Sequence, residues 1–362
     1  MMHTTAAIGR RSLLGAATAL AAAPLARPAI AQTQAPGFTL PFVAQGATAF
    51  AFVARERGFF RARGIEAEIA LGTGSPPAAQ AIAAGQFDMG LVSAAALIQQ
   101  VARGLNLTAV ATCMYDATMA IAVPQNSPIR TGADLMGRRV GANPRGLDFA
   151  FWPAYARLAG IDTSRVTIQQ LDPAVLERTL SQGQVDAVTC VAASSLPTFQ
   201  SLNFPVRFLM WKDAGLAFYH NTIVTRPEVV ANRGSLVEAA TDALLEGLAF
   251  TLRDPEAALA AFIRQRPEIG ISEAARNSAR LGQGLMAVTV AQREAIENGL
   301  GYTDMAVANR MIDTVMQYSV EGGTRPAVET LYTNRYAGRI RLTPAEWEQV
   351  RSRNAPFSQL LA

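Results

Sequence analysis

Residues 54–90 read ARERGFFRARGIEAEIALGTGSPPAAQAIAAGQFDMG, and the order of signals in this stretch decides the fold class. Helix-spaced apolar residues over 50–57 stop at Gly58, and Gly64 marks the following turn. Residues 65–71 read as a strand. Pro76 and Pro77 then open a helix over 76–84, where missing N–H groups cost least. Gly85 closes that helix, and 87–92 read as the next strand. Helix and strand alternating at this spacing imply right-handed βαβ units around a mostly parallel sheet.

The alternation extends in both directions. A strand over 38–43 precedes it; a helix over 94–102, ended by Gly104, and a strand over 107–112 follow. The turn-rich stretch 124–132 (PQNSPIRTG) reads as a crossing to a second series. That series has strands over 139–142, 166–171, 185–191 and 206–211, with helices over 147–158, 174–182 and near 195–201. Gly85-Gln86-Phe87-Asp88 recurs as Gly183-Gln184-Val185-Asp186, each closing a helix and opening a strand. Beyond 225 the chain turns helical, over 235–252, 255–265, 272–281, 291–298 and 305–318, so it returns to the first lobe through 217–225. The expected fold is α/β with two lobes and a cleft between them. Residues 38–123 and 220–336 form the first lobe, and 124–219 the second. Residues 337–362 form an extension packed on the first lobe.

The N-terminus reads as an export signal. Arg10 and Arg11 precede an apolar run over 13–23, and Ala29-Ile30-Ala31 supplies small residues for cleavage before Gln32. The run is too short to span a bilayer, which needs about 20 residues. Paired arginines before Ser12-Leu13-Leu14 point to the twin-arginine route, with the general route as the alternative. Removing 1–31 takes Arg10, Arg11 and Arg27 from the 32 basic residues that face 28 acidic ones, so the net charge falls from +4 to about +1. No basic stripe interleaved with aromatics remains, which excludes a nucleic-acid partner. Cys113 and Cys190 fall in different predicted lobes and read as free thiols.

Taken together, 54–90, the second-lobe entry SPIRTGADLMGRRVGAN (127–143), LDPAVLERTLSQGQVDAV (171–188) and Leu331-Tyr332-Thr333-Asn334 resemble the sulfonate, nitrate, taurine and thiamine-pyrimidine-precursor binding proteins of ABC importers. The resemblance covers roughly 40–336. It implies a type II-like periplasmic-binding-protein fold, a small-molecule ligand between the lobes, a periplasmic location, and transient docking of a monomer on a membrane permease. The turn Asn143-Pro144-Arg145-Gly146-Leu147-Asp148 departs from the Gly-Ser-Ser type of many sulfonate binders. Cys190-Val191-Ala192-Ala193 stands where they often carry an aromatic. The cysteine-rich motif of the family's pyrimidine-synthesising relatives is missing.

Ligands of open α/β sheets sit beyond the carboxyl ends of the strands. Those ends supply the candidate binding residues Ala47, Thr48, Gly74, Ser75, Ser93, Ala94, Tyr115, Asp116, Asn143, Arg145, Gly146, Cys190, His220 and Asn221. Helix N-termini near Gly74-Ser75 and Arg145-Gly146 suit a small organic anion, with Arg145 as a bidentate donor and Tyr115 as a stacking surface. Arg145 has an alternative partner in Asp148 or Asp116. Asp116 and Asp148 also suit a cationic or amide-bearing ligand such as a pyrimidine. Phe149 and Trp152, on a helix, read as core, and Met114 and Met119 as packing. A Cys190–His220 nucleophile pair has no motif behind it, and no metal-ligand spacing or cofactor motif occurs, so the expectation is binding without catalysis. A ligand-sensing module on the same fold is the rival class.

Overall fold

The computed structural model of the protein describes residues 37–144 and 146–361. The export segment therefore lies outside the described residues, as does Arg145. Among the described residues ten strands form two five-stranded sheets: β1 Gly37–Thr39, β2 Glu68–Ala70, β3 Met89–Ser93, β4 Thr108–Thr112, β5 Met119–Pro124, β6 Arg139–Ala142, β7 Thr167–Gln170, β8 Ala187–Val191, β9 Val206–Met210 and β10 Asn221–Thr225. The first sheet runs β2-β1-β3-β10-β4 and the second β7-β6-β8-β5-β9. In each, the fourth place belongs to an antiparallel strand that has just arrived from the other lobe, β10 in the first and β5 in the second. The remaining strands of each sheet are parallel to one another.

The Gly-Gln-x-Asp echo has a local cause. Gly85 and Gly183 both take left-handed φ, +78° and +69°, at the ends of helices Ser75–Ala83 and Leu176–Ser181. At the first end Gln86 N–H donates to Ala81 and Gly85 N–H to Ile82; at the second Gln184 donates to Thr179 and Gly183 to Leu180. These are two Schellman closures, each feeding the third strand of its sheet.

Three boundaries differ from the sequence reading. β5 pairs in the second sheet, so the chain first crosses at 113–118; the turn-rich stretch 124–132 lies inside the second lobe. Met119–Pro124 is an almost wholly buried apolar run, and ladder partners on both sides satisfy its backbone. The second crossing is 211–220. The helix expected over 272–281 continues as Glu273–Val290, because its apolar residues past Leu281 are covered on several sides. Leu281, Leu285 and Val288 join an apolar cluster of the second lobe, and Gly284 lies against Phe357 of the C-terminal helix Pro344–Gln359. That helix packs on Glu273–Val290 and Gly234–Arg253, while Phe357 and Leu361 also reach the second lobe's cluster.

The main core runs through both sheets. Phe151 of the second lobe stands 4.7 Å from Phe218, and Tyr155 stacks on Trp211 at 4.7 Å with ring planes 7° apart. Trp152 is buried in the same core. Cys113 and Cys190 are both buried and unpaired. Among the described residues no helix is long and apolar enough to cross a membrane.

Candidate functional site

A cavity of about 240 Å³ opens between the two sheets at the carboxyl ends of the strands. Of the sequence candidates, Ala47, Thr48, Gly74, Ser75, Asp116, His220 and Asn221 stand on its wall. A second cavity of about 230 Å³ adjoins it, sharing Gly74, Ser75, Val191 and His220 and adding Ser93 and Gly146. The cleft is thus assembled where both crossings pass between the sheets.

The first crossing holds its shape through Thr118, which takes φ +48°, a conformation few non-glycine residues adopt. Its N–H donates to Asp116 Oδ1 at 2.7 Å, its carbonyl accepts Ala192 N–H at 2.7 Å, and its Oγ1 accepts Ala193 N–H at 3.2 Å. Such strain persists only where the surroundings over-determine it, and Thr118 lies on the cavity wall. Asp116 Oδ2 meets Lys212 Nζ of the second crossing at 2.8 Å. His220 N–H donates to Met114 carbonyl, and Asn221 carbonyl accepts Cys113 N–H, which clips the crossings together at their other end.

Two polar groups face the cavity with capacity to spare. Burial holds the His220 imidazole down at about 4 against an opposing pull from Asp116, so the ring is neutral near pH 7. No hydrogen bond to that ring forms among the described residues. Asn221 is 2 % exposed; among the described residues its Oδ1 has no partner, and its Nδ2 reaches only Met114 Sδ at 3.7 Å. The rest of the wall is mainly apolar, with Phe42, Val43, Met114, Val191 and Met286 around these groups.

The helix N-termini do not present the free donors expected of them. In Ser75–Ala83 the second and third positions are Pro76 and Pro77, which have no N–H to offer. At the start of Leu147–Leu158 the protein supplies its own carboxylate. Asp148 is buried in the first turn of that helix and accepts Thr189 Oγ1–H. Burial raises its carboxyl above the usual range, and the Thr189 hydrogen bond pulls the other way. At Ala94–Ala102, Ala94 N–H goes to His220 carbonyl and Ala96 N–H to Ser93 Oγ.

Several candidates sit elsewhere. Tyr115 points away from the cavity: it packs edge-on against Tyr219 at 5.3 Å and donates its hydroxyl to Tyr302 carbonyl at 2.9 Å. The neighbours Met114 and Asp116 face the ligand space instead, so Met114 is a wall residue and not only packing. The same alternation puts Cys190 into the second lobe's apolar cluster while Val191 lines the cavity. Burial pushes the Cys190 thiol well above its ordinary value, and the thiol lies in that apolar cluster, off the cavity wall where His220 stands. Ala94 is buried in its helix. Asn143 accepts Gly146 N–H in the turn before its helix and is on neither cavity wall. Sequence reasoning missed Phe42 and Val43, which follow the first strand, and Thr118, Ser194, Met286 and Thr289. Phe42 and Val43 fall in the strand expected over 38–43, which ends at Thr39, and Met286 and Thr289 belong to a helix remote in sequence from every strand end.

The comparisons agree with this geometry. A protein of Haemophilus influenzae named for thiamine biosynthesis is 27% identical over 224 residues, covering 59% of this chain and 68% of its own length. The periplasmic aliphatic sulphonate binding protein SsuA of Escherichia coli superposes with a TM-score of 0.59 at 19% identity, over 78% of this chain and 91% of that one. A structure from Bordetella bronchiseptica RB50 gives 0.61 at 16%, over 88% and 98%. These likenesses show the periplasmic-binding-protein fold. The family model described as NMT1/THI5 like matches residues 45–258, more than half of the chain and from the cleft wall at Gln45 through both crossings, so the chain belongs to the NMT1/THI5-like family.

Proposed function

We propose that the protein is the extracytoplasmic receptor of an ABC importer, exported to the periplasm, which takes a small flat nitrogen heterocycle into the interlobe cleft and presents it to a membrane permease. The observation that carries the ligand class is the unmet Asn221 Oδ1 beside a neutral His220 in a mainly apolar cavity. An unsatisfied buried acceptor costs about 1–3 kcal/mol, and a ligand N–H removes that cost. The helix N-termini are already answered by proline, by Asp148 and by Ser93, so little is left to stabilise a full negative charge. The thiamine-related name of the Haemophilus relative agrees with a pyrimidine-like ligand, and the SsuA likeness agrees with a receptor that binds and releases without chemistry.

A second reading, a small organic anion, is favoured by the place of Gly146 on the adjoining cavity, next in sequence to Arg145. Mass spectrometry of the co-purified solute followed by calorimetry separates the two. A heterocycle is expected to lose about tenfold or more in affinity with Asn221→Leu and little with Arg145→Ala. An anion reverses that order, and loss with neither variant defeats both readings. A neighbouring permease and ATPase gene favours transport over sensing.

A further inference from the structure

A third cavity, of about 160 Å³, lies apart from the cleft, between Glu273–Val290, the end of Gly234–Arg253 and the C-terminal helix. Most of its polar lining is spoken for. Thr251 Oγ1 donates to Gly247 carbonyl, Asn354 Nδ2 to Val350 carbonyl, and Arg353 to the carbonyls of Leu252 and Arg253; Arg280 pairs with Glu256 and Glu273. Gln283 is the exception. It is 2 % exposed, and neither its amide nitrogen nor its amide oxygen has a partner among the described residues. The lining also has apolar members, Leu252, Ala287 and Phe357 among them.

We infer that this cavity is a second small-molecule site, for a neutral ligand that presents a hydrogen-bond acceptor and donor side by side, as a lactam or other cyclic amide does. A carboxamide with both atoms unmet is complementary to another cis amide and mismatched to a carboxylate, which has no donor for the glutamine oxygen. The volume suits a single six-membered ring, since an apolar cavity of about 150 Å³ holds benzene. The site is placed to affect the receptor. The helix that carries Gln283 lines the cleft with Met286 and Thr289 and packs on the second lobe with Leu281 and Leu285. Phe357 of the cavity wall joins the same second-lobe cluster.

The test uses the mature ¹⁵N-labelled chain and 2-pyridone as probe. The Gln283 side-chain amide is identified by its absence from the Gln283→Leu spectrum. Saturable displacement of that resonance by 2-pyridone is expected in the wild type; read from the Gly284 backbone amide, which both proteins keep, affinity is expected to be at least about tenfold weaker in Gln283→Leu, whose melting temperature is equal or higher because two unmet buried polar atoms are gone. Ala287→Leu, which fills the cavity and keeps Gln283, is expected to abolish the displacement and covers the case of a misfolded Gln283→Leu. An unmoved Gln283 resonance at ~10 mM probe, or equal affinity in the wild type and Gln283→Leu, overturns the inference. So does a crystal grown with 2-pyridone that shows only waters bridging the amide. Because the readout is Gln283 itself, failure here leaves the cleft reading standing, and failure of the cleft reading leaves this one.

Discussion

Lys212 Nζ and Asp116 Oδ2 lie 2.8 Å apart, which ties the second crossing to the first beside the ligand cavity. Lys212 is the chain's one lysine. Its side chain is 43 % exposed against 18 % for Asp116, so the pair adds little to folding. Lys212→Met is expected to cost about 0.2–1 kcal/mol in urea denaturation. Its effect on binding depends on ligand charge. An uncompensated aspartate about 6 Å from an anion costs about 3 kcal/mol at an effective dielectric of 20, a loss near a hundredfold. A neutral heterocycle loses far less. Calorimetry at low salt on wild type and Lys212→Met reads the difference.

Thr118 separates strain from capping. Thr118→Ala keeps the left-handed backbone and removes the hydroxyl that accepts Ala193 N–H, at an expected cost of about 1 kcal/mol. Thr118→Gly loses the same hydroxyl but relieves the backbone, so it is expected to be the more stable of the two. The reverse order in denaturant titrations contradicts the assignment of strain.

The pH dependence follows from His220. Its pKa is about 4 in the folded protein and about 6.5 unfolded, so between these values the unfolded chain binds more protons. Stability from this group is full above pH 6.5 and is lost as pH falls towards 4, by at most about 3 kcal/mol, less if the cleft opens to water. His220→Gln is expected to flatten that part of a melting-temperature profile. Asp148 acts in the opposite sense, since its raised carboxyl favours the folded state on protonation. Asp148→Asn is therefore expected to be neutral or stabilising at pH 7, and a marked loss would show that the charge is needed at the helix start.

Closure of the cleft is expected to turn on 113–118 and 211–220, where each backbone passes once between sheets. Small-angle scattering with the co-purified solute should show a smaller radius of gyration than without it. An unchanged radius at saturation argues against a closing cleft. Because Leu281 and Leu285 bridge to the second lobe, Leu285→Ala is expected to shift the opening equilibrium as well as to cost about 2–5 kcal/mol of stability.

Export is checked by N-terminal sequencing of fractionated protein, with Gln32 expected as the first residue in the periplasm. Replacing Arg10 and Arg11 by lysine is expected to block export on the twin-arginine route and to leave the general route working.

The amino-acid sequence by itself determined what short-range hydrogen bonding and periodicity control. The alternation of strands and helices, the paired closures at Gly85 and Gly183, and the proline-opened helix after Gly74 were legible because each is settled within a few residues. Tertiary structure decided what depends on distant partners. Met119–Pro124 became a strand of the second sheet only because β8 and β9 flank it, and Glu273–Val290 ran past Gly282 because the second lobe and the C-terminal helix cover it. The candidate site divided along the same line. Which neighbour at a strand end lines the cavity, Met114 and Asp116 rather than Tyr115, or Val191 rather than Cys190, is a matter of one-residue parity. That parity is set by what packs behind each sheet: the Tyr115–Tyr219 pair in one lobe and the apolar cluster holding Cys190 in the other.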